Sequence, residues 1–355
     1  MKAFREMGRG KKEIYLTLAE EIRTLIRKKS FAPGERLPSE REFARQFSCN
    51  HLTVRKALKS LREEGVLHAV SSVGYFCGKA PEQKHILSDR IGFIFPDDEI
   101  FYYRIFAEFE AVISSAGFHP VLHLTGGSVH KERELLEYFE RSSVRALVAA
   151  PNRFCTEQYR ALRIPALFFD MPIPELEIPQ IVSDDFQGAF NAVTYLIKLG
   201  HRRIAHIGCE YDYTGEQRLS GYLRALDSGH IARKNSLIRM RYPSREWGYH
   251  AIRDLFALRS VPTAVFCAND TIASGVLNYC ADHSIAVPGE LSVVGFGDTP
   301  TAEFLDLCSV NQNAGKISGA LCENLWKLDR GEKVAPLTVI GTSLIIRKSA
   351  GPPAL

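Results

Sequence analysis

The sequence lacks the features of several protein classes. No apolar run approaches the roughly 18 residues needed to span a bilayer, and the basic residues 1–12 are not followed by the apolar stretch of a signal peptide. The eight cysteines are scattered, with no C-x-x-C pair and no histidine cluster at zinc spacing. We therefore expect a cytoplasmic protein with reduced thiols, no disulfide framework and no metal site.

The length and the charge pattern point to more than one folded unit. The 355 residues are 45% hydrophobic and 24% charged, an ordinary globular composition for two or three domains. Residues 1–80 carry 17 Lys or Arg against 9 Asp or Glu, which leaves 28 against 32 for the rest of the chain. A basic small unit on an acidic body favours contact of the first part with a polyanion, although a solvated basic face has the same composition.

Three helices are predicted in the first unit. Apolar residues at helical spacing predict the first helix over 13–29. A capping box that begins at Ser39 predicts a short second helix. Asn50 is a good N-cap for a third helix, which Gly65 ends.

The second and third helices match a helix-turn-helix, because a tight turn joins them and the third is polar and basic at its start. His51, Thr53, Arg55, Lys56 and Lys59 lie on its exposed or N-terminal parts. Residues 66–70 and 75–77 predict the two strands of a hairpin wing that approaches the DNA.

Specific motifs in this stretch are LPSEREFA at 37–44, TVRKAL at 53–58 and the wing glycine Gly74. Over residues 11–78 the chain resembles the winged helix-turn-helix domain of the GntR family of bacterial transcription regulators. The family usually has Ser-Arg at the start of the recognition helix, whereas this chain has Asn50-His51. Asn pairs with adenine and His donates to guanine, but Asn50 also serves as a simple helix cap. The candidate DNA-binding residues are Arg41, Asn50, His51, Thr53, Arg55, Lys56 and Gly74.

After a predicted linker over 79–89, short apolar runs alternate with helical stretches. The runs lie at 91–95, 121–124, 146–149, 166–169, 204–207, 264–267 and 291–294. Such alternation predicts an α/β fold with parallel sheets, whose ligands bind at the carboxyl ends of the strands. Polar residues stand directly after several runs, at Asp97-Asp98, Asp170, Asn269-Asp270 and Gly297-Asp298.

A nucleotide-dependent enzyme is the usual alternative for such a sheet, but its motifs are missing. Gly295-Phe-Gly297 has no third glycine that opens a helix, and the sequence contains neither G-x-x-x-x-G-K-[ST] nor G-x-S-x-G. We expect no cofactor and no catalytic residues.

The body contains LGHRRIA at 199–205, RLSGY at 218–222, AND at 268–270 and VPGELSVVGF at 287–296. Over residues 90–348 it resembles the periplasmic-binding-protein-like effector domain of the LacI family. The resemblance implies two similar lobes joined by crossovers near Ser183, Gln312 and Gly331. It also implies an effector in the cleft and dimerisation through this body.

The resemblance also implies a set of effector contacts. Arg, Asn and Asp side chains suit vicinal hydroxyls, and an aromatic ring covers the apolar face of a sugar. Where sugar-binding relatives usually carry an aspartate after Gly-Phe, this chain has Gly297. The candidate effector-binding residues are Asp98, Phe101, Asp170, Arg218, Trp247, Asn269, Asp298 and Gln312.

The sequence thus predicts a winged helix-turn-helix over 1–78 and a two-lobed effector-binding and dimerisation domain over 90–350. We interpret the protein as a DNA-binding transcription repressor that acts as a homodimer on an inverted-repeat operator and responds to a sugar or sugar derivative. The alternative is a cytoplasmic ligand sensor whose N-terminal unit binds a protein partner.

Overall fold

The computed structural model describes residues 11–28, 31–32, 34–70, 74–78, 89–97, 99–210 and 213–354. The chain separates into two compact units, residues 1–86 and 87–355. Most of the predicted linker 79–89 lies outside the described residues.

The first unit packs three helices and a hairpin around a small core. Its centre is formed by Leu18 and Ile22 of the first helix, Phe43 of the second, and Val54 and Leu58 of the third, all fully buried. The two strands are antiparallel, and Leu37 N–H extends the sheet by donating to the Tyr75 carbonyl oxygen. The elements are α1 (Lys11–Lys28), α2 (Glu40–Gln46), α3 (His51–Glu63), β1 (Leu67–Val70) and β2 (Gly74–Cys77).

The second unit alternates strands and helices, as the apolar runs predict. In chain order its elements are β3 (Arg90–Phe95), α4 (Ile100–Ser115), β4 (His119–Leu124), α5 (Val129–Arg141), β5 (Ala146–Ala149), α6 (Thr156–Arg160), β6 (Ala166–Phe169), β7 (Gln180–Ser183), α7 (Asp185–Lys198), β8 (Ile204–Cys209), α8 (Tyr213–Ser228), β9 (Ile238–Arg241), α9 (Arg245–Phe256), β10 (Ala264–Cys267), α10 (Asp270–Asp282), β11 (Ser292–Gly297), α11 (Pro300–Phe304), β12 (Cys308–Asn311), α12 (Ala314–Asp329), β13 (Leu337–Ile340) and β14 (Ser343–Ile345).

These elements form two lobes, each with helices on both faces of a sheet. The first sheet is parallel, with the order β13-β7-β6-β5-β3-β4, and packs α4 and α12 on one face and α5 and α6 on the other. The second has the order β14-β12-β11-β10-β8-β9 and is parallel except for β14. It carries α7 and α8 on one face and α9 and α10 on the other. Burial on both faces explains why the central strands are almost wholly apolar.

The chain crosses between the lobes where two of the three predicted crossovers lie. β7 ends at Ser183 in the first lobe and α7 begins the second, and Gln312 lies between β12 and α12. The prediction of a crossover near Gly331 is wrong. Gly331 only ends α12 with a positive φ of 69°, and the crossover lies at residues 341–342, between β13 and β14.

Candidate functional site

The winged unit presents the start of α3 on a well-defined framework. The Ser39 hydroxyl accepts from Glu42 N–H at 3.3 Å while the Glu42 carboxylate accepts from Ser39 N–H at 2.7 Å, which is the predicted capping box. The amide oxygen of Asn50 accepts from Leu52 N–H at 2.8 Å. The side chain of Asn50 is therefore engaged as the N-cap of α3, as the capping interpretation of this residue requires.

Glu40 links α2, α3 and the wing through one carboxylate. It accepts from Arg55 Nε and Nη2 at 3.1–3.3 Å and from the Tyr75 hydroxyl at 3.2 Å, and His51 Nε2 lies 2.7 Å from Glu40 Oε2. Partial burial raises the pKa of Glu40, but the bonds from Arg55 and Tyr75 and the nearby positive charges lower it more, so the net direction is downward. The Glu40 carboxylate thus positions the side chains of Arg55 and His51, two candidate DNA contacts, before any DNA is bound.

The other candidate DNA-binding residues lie in the same unit. Arg41 and Lys56 are exposed, Thr53 is half-buried in the first turn of α3, and the Arg55 side chain is 58% exposed despite its bond to Glu40. Gly74 begins β2 with a φ of 139°, a conformation that favours glycine at the wing.

The second unit contains a cavity of about 760 Å³ between its lobes. Polar side chains that follow the strands of both sheets meet there, as expected for parallel sheets. The polar lining residues within three positions of the ends of β3, β6, β10 and β12 are Asp97, Asp170, Asn269, Asp270 and Gln312.

The first lobe supplies an aromatic and acidic wall. The Tyr102 hydroxyl donates to Asp170 Oδ2 at 2.8 Å, and both residues are buried. The Tyr102 ring is stacked on Phe95 and lies next to Phe101, which also lines the cavity. The wall therefore combines flat apolar surface with a carboxylate.

Arg218 of the second lobe is held from several sides. Its Nε donates to Asp185 Oδ1 at 2.9 Å, its Nη1 donates to the Ala268 carbonyl at 2.7 Å, and its guanidinium lies 3.9 Å from the centre of the Phe296 ring. Burial lowers the pKa of Arg218, but the nearby carboxylates, Asp185 first and then Asp170, together raise it more, so the group stays charged. Its charge is already balanced by Asp185 within the protein.

Glu99 and Asn269 connect the two lobes across the cavity. Asn269 Nδ2 donates to Glu99 Oε1 at 2.8 Å, while Asn269 Oδ1 caps α10 by accepting from Ile272 N–H. Burial, followed by the repulsion from Asp97, raises the pKa of Glu99 to about 7. The sequence prediction missed Glu99, although the acidic run 97–99 after the first predicted strand was the available signal.

Gln312 lies in the lining at the second crossover, and its Nε2 donates to Ser183 Oγ at 3.2 Å beside the first crossover. The structure therefore brings Phe101, Asp170, Arg218, Asn269 and Gln312 together around one cavity. Asp98 lies outside the described residues.

Two predicted effector contacts, Trp247 and Asp298, lie outside the residues that line the cavity. Trp247 packs against the core between α9 and the second sheet, with Nε1 3.4 Å from the Gly208 carbonyl. The Asp298 carboxylate instead pairs with Arg347 at 2.7 Å and accepts from Asn311 Nδ2 at 2.7 Å.

Asp270 lies beside the glycine that replaces the expected aspartate. A Cβ on Gly297 would lie 3.4 Å from Asp270 Oδ2. Asp270 accepts from Ser309 Oγ at 2.6 Å and from Thr299 N–H at 2.8 Å, and burial raises its pKa to about 6 despite these bonds.

Acidic groups dominate the lining. Among the described residues it contains eight carboxylates and three arginines, namely Asp97, Glu99, Glu132, Asp170, Glu175, Glu210, Glu216 and Asp270 against Arg153, Arg218 and Arg241.

In the described part of the chain no group of three or more His, Cys, Asp or Glu side chains is placed to hold a metal ion. None of the helices described there has the length and apolar character that a bilayer crossing requires.

Comparisons with known proteins agree with this architecture. Residues 14–77 match the bacterial regulatory proteins of the gntR family, and residues 193–350 match the periplasmic binding protein-like domain. The arabinose metabolism transcriptional repressor of Geobacillus stearothermophilus is 28% identical over 298 residues, which cover 80% of this chain and 82% of the relative. The probable HTH-type transcriptional repressor ExuR of Bacillus subtilis is 34% identical over 194 residues, 54% of this chain and 58% of its own length.

Among solved structures, a LacI transcriptional regulator from a Rhodococcus species superimposes with a TM-score of 0.67 at 25% identity, over 75% of this chain and all of that chain. The predicted resemblances and the α/β two-lobed fold are therefore confirmed. The chain thus joins a GntR-family winged helix-turn-helix domain to a LacI-type, periplasmic-binding-protein-like domain.

Proposed function

We propose that this regulator is a repressor whose affinity for its operator is controlled by a small, uncharged, carbohydrate-like effector bound between the lobes. The protein acts in the cytoplasm, as a homodimer on an inverted repeat. The observation that carries the proposal is the polar cavity to which both lobes contribute, in a chain that also carries a DNA-reading unit.

The chemistry of the lining suits hydroxyl groups. Asp170, Glu99 and Asp270 offer acceptors, while Asn269 and Arg218 offer donors, so that neighbouring hydroxyls of a polyol find partners of both kinds. The aromatic wall at Phe101 covers the apolar face of a ring. Polar groups placed around an apolar wall are the usual composition of a small-molecule site.

The charge of the lining favours a neutral effector over a sugar phosphate or a sugar acid. The positive charge of Arg218 is already neutralised by the buried carboxylate of Asp185. In the lining as a whole, carboxylates outnumber arginines. An anionic group placed there loses its hydration and meets like charges, both of which oppose binding.

Control of DNA affinity follows from binding to both lobes. An effector that contacts Glu99 on one side and Asn269 on the other binds the closed arrangement of the lobes better than the open one. This difference in affinity shifts the population of the two arrangements. In a dimer the shift alters the spacing of the two DNA-reading units.

The DNA-reading role is tested with Arg55→Ala in the full-length protein. We expect operator affinity, measured by fluorescence anisotropy, to fall about tenfold or more, since a good base contact contributes about 1–3 kcal/mol. Effector binding measured by calorimetry stays unchanged. Arg141→Ala, which removes an exposed arginine of the second unit, is the matched control.

Equal loss of operator and effector binding in Arg55→Ala would contradict a separable DNA-reading unit. Affinity for DNA that does not fall as salt is raised would instead favour a sensor whose N-terminal unit binds a protein. We propose no catalytic role, and turnover of the bound effector by the pure protein would overturn that part.

A further inference from the structure

Two exposed aromatic side chains stand at the mouth of the cavity, one on each lobe. Phe154 is 64% exposed and belongs to the first lobe, and Tyr242 is 65% exposed and follows β9 of the second. Both line the cavity. Large aromatic groups gain by burial, so rings left this exposed contribute little to the stability of the fold.

The backbone that carries Phe154 is nevertheless fixed. Phe154 N–H donates to Asn152 Oδ1 at 3.0 Å, and its carbonyl accepts from Arg133 Nη2 at 3.1 Å. The Arg153 guanidinium lies 5.4 Å from the centre of the Phe154 ring. The ring is therefore held towards solvent by a defined turn.

Tyr242 is held in a similar way from the second lobe. It lies between β9 and the cap of α9, where Ser244 Oγ accepts from Trp247 N–H at 3.0 Å, and Pro243 limits the backbone between them. Pro243 also lines the cavity. The two rings thus form an aromatic rim, Phe154 and Tyr242, on fixed segments of both lobes.

The size of the cavity gives a second, independent argument. Sites of about 300–1,000 Å³ hold drug-sized ligands, and the cavity of about 760 Å³ lies in the upper part of that range. A hexose has about twelve non-hydrogen atoms and is smaller than a drug-sized ligand, so the cavity has room for more than one sugar ring. The polar groups that suit a first ring, Asp170 and Asn269, lie near the strand ends and are buried, whereas the rings of the rim are exposed.

We propose that the effector is a neutral oligosaccharide of at least two sugar rings, whose inner ring is bound at the strand ends and whose outer ring packs against the aromatic rim. This inference rests on the proposed function. The flat C–H face of a sugar ring packs on an aromatic ring, and the hydroxyls at its edge stay in contact with water. Arg153 and Arg241, beside the two rings, offer donors to those hydroxyls.

The test is native mass spectrometry of the full-length protein incubated with a filtered low-molecular-weight extract of cells that carry the gene. We expect a bound mass equal to two or more sugar units. A bound mass equal to a single sugar, or to a phosphorylated or acidic sugar, would overturn the inference while leaving effector control intact. Absence of any bound mass, together with operator binding that the extract does not change, would overturn the proposed function itself.

Variants of the rim give a second readout with the captured compound. Both rings are exposed, so the double substitution Phe154→Ala with Tyr242→Ala is expected to fold normally. It should weaken binding of the captured oligosaccharide about tenfold and leave binding of its inner monosaccharide within twofold. Tyr138→Ala, an exposed aromatic outside the lining, is the matched control. Oligosaccharide affinity within twofold of wild type in the double variant would overturn the assignment of the outer ring to the rim.

Discussion

Replacing Glu99 by Gln should stabilise the unliganded effector domain, increasingly so as the pH rises. Glu99 faces the carboxylates of Asp97, Asp170 and Asp270, and Arg218 is the positive group that opposes them. Gln keeps an oxygen that accepts the 2.8 Å bond from Asn269, so the substitution removes the charge and retains the contact between the lobes.

The magnitude follows from the pKa of Glu99, which burial and then Asp97 raise from an ordinary 4.5 to about 7. Because the folded pKa is raised, the folded state holds more protons than the unfolded state between these values. The stability that the protonated group provides is therefore complete below about pH 4.5 and is lost as the pH rises to about 7. One pKa unit corresponds to about 1.4 kcal/mol of free energy of unfolding. Because Glu99 keeps some contact with cavity water, we expect ionisation of Glu99 to lower the free energy of unfolding by about 2 to 3 kcal/mol in total.

The assay is urea unfolding followed by tryptophan fluorescence at pH 5 and pH 8. Both tryptophans, Trp247 and Trp326, lie in the second unit, so the signal reports that unit alone. The free energy of unfolding of Glu99→Gln should exceed that of wild type by about 2 kcal/mol more at pH 8 than at pH 5. Glu157→Gln, at an exposed position, should show no such growth. An advantage of Glu99→Gln that is equal at both pH values, or a loss at pH 8, would refute the reasoning.

Three further outcomes are expected. Arg218→Met should lower the free energy of unfolding by about 3 to 5 kcal/mol because it leaves the Asp185 carboxylate buried without its cation, and adding Asp185→Asn should restore part of the loss in the same urea assay. Gly275→Ala should cost about 1 to 3 kcal/mol, since a Cβ there would lie 1.9 Å from the Arg245 carbonyl oxygen where α9 and α10 pack, and an unchanged urea midpoint would contradict this. Lys56→Ala should reduce the slope of log operator affinity against log salt by about one, as expected for loss of one phosphate contact, and an unchanged slope would place Lys56 away from the DNA.

Local sequence signals predicted much of the fold. The capping residues Ser39 and Asn50 mark the starts of α2 and α3 because the side-chain oxygens satisfy backbone donors within three residues. Each of the seven apolar runs coincides with a strand or overlaps one. Strands such as β9 and β13 were not predicted, since they lie at sheet edges, are partly exposed and need no continuous apolar run.

The candidate site was predicted less completely, because it depends on contacts between residues far apart in the chain. Asp170 and Asn269 were predicted because they lie within two residues of the ends of β6 and β10. Asp298 also follows a strand, but its carboxylate pairs with Arg347, 49 residues later, which no local pattern reveals. Glu99 was missed because its partner Asn269 lies 170 residues away on the other lobe.

Effector control of operator binding is tested most directly by capturing fragments of the source genome on the purified full-length protein, at two salt concentrations, with and without the metabolite extract. We predict enrichment of a short inverted repeat upstream of a few genes, weaker retention at higher salt and release by the extract. Weak or sequence-indifferent retention that neither salt nor extract changes would contradict the central claim.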